Sequence, residues 1–130
     1  MITPDQFQVN EAWIAIRVNE GFIFVKDDPY DIFVLLDAAS AYVLGFVLSS
    51  VVDESPDEKE VAKLFEEAWE VKHQWARKLI VADDSIANDV FINEAKKHGF
   101  EIEIVKTSRL APIVGPLKEG FCKGFIDNLG

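Results

Sequence analysis

The chain reads as an α/β (α+β) protein built on a mixed sheet, with N-terminal antiparallel strands followed by helix, strand, helix, strand and helix, the helices packed on the sheet. Three observations predict this. Up to Ser50 the chain consists of β-branched and aromatic runs separated by turn residues. A capped, amphipathic helical pattern then begins near Ser55. Beyond it, Leu79-Ile80-Val81-Ala82 is short, wholly apolar and bounded by charges, as a strand buried on both faces should be.

The four predicted N-terminal strands are Ala12 to Val18, Gly21 to Lys26, Ile32 to Asp37 and Tyr42 to Ser50. Asn19-Glu20-Gly21 supplies the first turn, Asp27-Asp28-Pro29-Tyr30-Asp31 the second and Ala38-Ala39-Ser40-Ala41 the third. Short loops favour pairing in chain order, so an antiparallel meander is the simplest arrangement.

For the first helix, Ser55 is the expected cap, Pro56 the first helical residue and Glu58 the partner in a capping box. Val61, Leu64, Phe65, Ala68, Trp69 and Lys72 or Trp75 recur at helical spacing, with Glu66, Glu67 and Glu70 mostly on the other side. After the central strand, expected to run parallel to its neighbour, Asp83, Asp84 or Ser85 caps a second helix with Ile86, Val90, Phe91 and Ala95 on one side. It ends at Lys96-Lys97-His98 before Gly99, and both ends suit the helix dipole. Phe100, Ile102 and Ile104 alternate with Glu101 and Glu103 in a half-exposed edge strand, and a weaker helical pattern continues through Ile113, Leu117, Phe121 and Phe125.

Composition narrows the function. A chain of 130 residues, half of them hydrophobic, is expected to fold as one domain over residues 1–130. The net charge of −10 repels phosphate backbones and opposes general nucleic-acid binding. Acidic surfaces also serve solubility, the commoner role for such a balance. The single cysteine, Cys122, makes no internal disulfide, and His73 and His98 lie too far apart in sequence for zinc-type spacing. The start, Met1-Ile2-Thr3-Pro4-Asp5-Gln6, lacks the basic and apolar runs of a secretory signal, and the apolar stretch from Ile32 to Val52 is interrupted by Asp37, Ser40, Gly45 and Ser49. A soluble, cytoplasmic protein with no membrane association is the expectation.

Less its first strand, the element order is that of the ribonuclease-H-like arrangement. The segments from Phe33 to Gly45 and from Lys78 to Asp84 resemble the integrase and transposase catalytic core of that fold, in which a strand ending in Asp is followed by Ser and Gly, and a later strand delivers a catalytic Asp. The resemblance covers roughly residues 21–125. It implies a metal-dependent phosphodiester chemistry in which Mg2+ or Mn2+ is held by three carboxylates, because paired cations stabilise the attacking and leaving oxygens. The matching acids are Asp83, with Asp84 beside it, and Glu119, separated from Asp83 by thirty-five residues as in the family. The family's first acid has no match in the strand Gly21 to Lys26, so Asp37 would take its place, with Asp37 and Asp83 as metal ligands.

Each acid also has a structural role to play. Asp83 and Asp84 suit helix capping, Asp37 suits a strand end turning into a loop, and helical spacing aims Glu119 away from the apolar face of Ile113, Val114, Leu117 and Phe121. A phosphoacceptor receiver also opens with an acidic pocket like Asp83-Asp84, but no later strand-end Asp follows here. There is neither a glycine-rich phosphate loop around Gly115 and Gly120 nor a Gly-x-Ser-x-Gly elbow. The sequence therefore points first to a non-catalytic module that binds a protein partner or itself. Trp13, Trp75, Tyr42 and the edge strand Glu101 to Val105 are interface candidates. A divalent-metal-dependent nuclease or strand-transfer enzyme using Asp37, Asp83 or Asp84, and Glu119 is the second reading.

Overall fold

The protein is seen in a computed structural model that describes residues 7–8, 11–17, 23–25, 28–40, 42–50, 57–83, 88–113 and 115. The elements are β1 (Ala12–Arg17), β2 (Ile23–Val25), β3 (Asp28–Asp37), β4 (Val43–Ser50), α1 (Glu58–Lys72), β5 (Lys78–Ala82), α2 (Asn88–Lys97) and β6 (Glu101–Val105), followed by a 3-10 turn at Thr107–Leu110. They form one mixed sheet in the order β2-β3-β1-β5-β6, with β4 paired to β3.

The expected meander is corrected in one respect. Instead of pairing with β2, β1 lies between β3 and β5, antiparallel to the first and parallel to the second. Because β1 and β4 both pair with Phe33 to Leu36, they occupy opposite edges of β3, and β2 shares the β1 edge further along. Arg17 pairs with Phe33 and Ile23 with Tyr30, so the chain travels six residues on one side against three on the other. The strand left out of the expected arrangement is thus its central member. Its core segment, Trp13-Ile14-Ala15-Ile16, is apolar without alternation and buried on both faces, the same signature that marked β5.

The second expected turn is also shorter than anticipated, since Asp28 to Asp31 belong to β3. Pro29 is tolerated within β3 near its start, paired with Phe24 of the three-residue β2. The first helix is capped by Asp57, whose carboxylate accepts a 2.7 Å bond from the Lys59 N–H, and not by Ser55, which lies outside the described residues with Pro56. Asp57 is competent because its extended backbone aims the side chain at the free amides of the first turn.

The second helix ends as expected. Gly99 at φ 80° lets its N–H reach the Lys96 carbonyl and the Phe100 N–H reach Ala95, which satisfies the last carbonyls of α2. The segment that would cap its start is not among the described residues beyond Asp83.

Two apolar layers hold the sheet. On one face Trp13, Ala15, Phe33, Leu35, Leu79 and Val81 meet Val61, Leu64, Phe65 and Ala68 of α1 and Phe91 and Ala95 of α2. On the other, Ile14, Ile16, Val34, Leu36, Ile80 and Val105 meet Leu110 and Ile113. This inverts part of the reading of β6: Val105 is buried while Ile104 is exposed, because the chain after β6 folds under the second face. The helical pattern beyond residue 115 lies outside the described residues. No helix among those described is long and apolar enough to cross a membrane.

Candidate functional site

Parallel neighbours bring their C-terminal ends to the same side of a sheet, the usual place for a site in an open α/β sheet. Here that side is the shared end of β1 and β5. Asp83 follows β5 directly; its side chain is exposed and its N–H donates to the Val105 carbonyl at 2.9 Å. The β1–β5 register runs from Ala12 opposite Lys78 to Ala15 opposite Val81. Arg17 closes β1 at this same end, two residues beyond Ala15.

Arg17 is committed. Its Nη1 lies 3.5 Å from Oδ1 of Asp31, an almost buried carboxylate on β3 that pairs in register with the buried Ser49 of β4. Strand alternation puts Arg17, Asp31 and Ser49 on the helix-covered face. The sequence carries no signal for Arg17 and Asp31 as a pair, because Asp31 reads as a turn residue and Arg17 as part of an outlying strand.

The structure places Asp37 at the other end of the sheet. Asp37 pairs with Trp13, at the start of β1, four residues from Arg17. At roughly 3.3 Å per residue this separates Asp37 from the Asp83 end by about 13 Å along the strands. Asp37 is fully buried and occupied in the β3–β4 hairpin: Oδ2 accepts from the Ser40 N–H at 3.2 Å and from the Ser40 hydroxyl at 2.8 Å. Its own N–H donates to the Tyr42 carbonyl. Asp37 and Asp83 therefore do not meet. Asp84 and Glu119 lie outside the described residues, as does Cys122.

Asp31 is paired with the Arg17 guanidinium, and no three His, Cys, Asp or Glu among the described residues are placed to hold a metal ion.

A second feature lies at the opposite end of the sheet, near the start of β5. His73 closes α1 in the left-handed conformation, φ 58°, and turns the chain so that Trp75 returns beside Trp69 of the last helical turn, ring centroids 6.5 Å apart. Trp75 is held from behind: the His98 ring stacks on it at 3.9 Å and 19°, and Trp13 and Phe100 meet it edge-on at 6.1 Å each. His98 is tied to α2 by a 3.0 Å contact from Nε2 to Oε1 of Glu94, which also pairs with Lys97. His98 is thus half-buried packing. Trp69, Trp75, Glu66 and Glu70 line an open cavity of about 200 Å³.

The interface candidates divide. Trp13 is fully buried and belongs to the core, Trp75 is half-buried in the cavity wall, and Tyr42 is exposed beside Lys72, whose Nζ lies 5.8 Å over its ring.

No protein-family model and no curated protein matches the chain. Solved structures do. The catalytic core domain of HTLV-2 integrase, in complex with magnesium and in a dimeric form, superposes with a TM-score of 0.59 at 13% identity, over 93% of this chain and 76% of that one. A chain of the simian T-cell lymphotropic virus intasome, in complex with PP2A regulatory subunit B56 gamma, superposes with a TM-score of 0.57 at 16% identity over 92% of this chain. This chain spans 42% of the length of that one. At such low identity the likeness is one of fold, and it agrees with the strand order and register above: the chain has a ribonuclease-H-like fold similar to the integrase catalytic core.

Proposed function

We propose that the chain is a non-catalytic ribonuclease-H-like domain that acts as a protein-interaction or regulatory module. The observation that carries this reading is Arg17. It closes β1, the strand that runs parallel to β5 beside it, and it is ion-paired to Asp31. A fixed guanidinium at that point opposes a divalent cation, and the apolar β1, Ala-Trp-Ile-Ala-Ile-Arg, has no carboxylate to offer. The net charge of −10 further favours a protein partner or self-association over nucleic acid. One neighbour of similar fold was solved with a protein regulatory subunit bound, which is in keeping with this use of the fold.

The competing reading is a Mg2+- or Mn2+-dependent nuclease or strand-transfer enzyme using Asp37, Asp83 or Asp84, and Glu119. The position of Asp83 directly after β5 is what favours it. A titration with Mg2+ and Mn2+ followed by thermal denaturation separates the two, because a ligand bound only by the native state raises Tm with occupancy. The module predicts no saturable rise at millimolar metal. A saturable rise abolished by replacing Asp83 and Asp84 with Asn would overturn it and call for nuclease assays.

A further inference from the structure

The cavity between α1 and the Trp75 loop has a composition that neither reading uses. Two tryptophan rings form its walls, and Glu66 and Glu70, both exposed and one helical turn apart, form its rim. Like charges at this spacing oppose one another along a helix. Among the described residues neither carries an ion pair, and Lys72, the cation of the last helical turn, lies over Tyr42 and is not part of the lining.

Indole faces attract cations through their quadrupole, and carboxylates at the rim add a charge of the right sign. The volume also selects. At about 200 Å³ the cavity is smaller than the roughly 300–1,000 Å³ usual for a small-molecule or cofactor site, and suits one side-chain head group. The site is built in advance, since Trp75 is clamped by His98, Trp13 and Phe100 and needs little ordering on binding.

We propose that the Trp69–Trp75 cavity is a docking site for a cationic side chain, a lysine or arginine presented by a basic segment of a protein partner. This rests on the module reading and names the chemistry of its partner. The acidic balance of the chain draws the segment in, and the two indoles with Glu66 and Glu70 give the contact its position.

The test is a titration of the whole chain with a Gly-Ser-Lys repeat peptide and with the same peptide carrying norleucine for lysine, followed by the indole N–H resonances of the three tryptophans. The lysine peptide is expected to shift the Trp69 and Trp75 signals saturably, with a dissociation constant of about 1 mM, and the norleucine peptide is not. Trp69→Ala, and separately the surface pair Glu66→Gln with Glu70→Gln, should each weaken binding about tenfold. The glutamine pair keeps shape and fold, so it decides the matter if Trp69→Ala unfolds. Undiminished binding in the glutamine pair, shifts confined to other residues, or no saturation by about 10 mM peptide would overturn the docking site. None of these results bears on the module reading, which the metal titration judges on its own.

Discussion

Replacing Gly45 by Ala tests how closely α1 lies on the sheet. A methyl group at this position would stand 2.5 Å from Cδ1 of Leu64. That is about 1 Å inside the roughly 3.5–4.0 Å of ordinary carbon contact. Leu64 is 1% exposed and packed among Leu44, Val47, Val61 and Phe65, so it has little room to swing away. Overpacking of this kind costs about 1–3 kcal/mol. Ala otherwise improves on Gly in a strand by about 0.5–1 kcal/mol. The expected net loss is about 1–2 kcal/mol, a fall in Tm of about 4–8 °C for a chain of this length.

Urea unfolding of Gly45→Ala, Leu64→Ala and the double variant measures it. Leu64→Ala alone should cost about 2–5 kcal/mol by leaving a cavity. In the double variant the new methyl enters that space, so the two losses should fall short of additive by about 1 kcal/mol. A Gly45→Ala protein as stable as the parent, or strict additivity in the double variant, would refute the close contact between α1 and β4, and with it the placement of the helix that carries Trp69.

Other substitutions probe the site residues. Asp37→Ala removes the acceptor for both Ser40 donors and should cost about 1–3 kcal/mol in chemical denaturation, with Ser40→Ala costing less because one backbone bond survives. Arg17→Met withdraws the cation from the nearly buried Asp31 and should cost about 1–2 kcal/mol, reduced from the fully buried case because Arg17 is 44% exposed. A gain in stability there would show that the pair is not formed. Gly99→Ala forces a side chain into the left-handed region and should cost about 1–2 kcal/mol, read as a lower denaturation midpoint with an unchanged slope. Asp57→Ala should lose about 1 kcal/mol of helix capping, read as a lower denaturation midpoint.

Much of this architecture follows from the chain alone. Periodicity of two and of 3.6 residues is a local property, and it locates the strands and the two α-helices among the described residues and the glycine stop after Lys97. Capping needs more than composition, which is why Ser55 was expected where Asp57 serves: several polar residues compete at a helix start, and backbone angles choose among them. Strand order is not local at all. The sequence marks Trp13 to Ile16 as apolar without saying that a parallel partner more than sixty residues away will cover its other edge. That one pairing moves Asp37 to the far end of the sheet from Asp83 and brings the close of β1, at Arg17, to the same end as Asp83. The cavity was legible only as separate signals, a tryptophan on the helix and another after it. Their meeting depends on His73 adopting a left-handed turn and on His98, from a different helix, stacking behind Trp75. What the sequence settles by itself is which segments are strand or helix and which faces are apolar, since neighbouring residues decide these. Which acids, bases and rings share a site is decided by contacts between residues distant in the chain, and only the folded structure contains those.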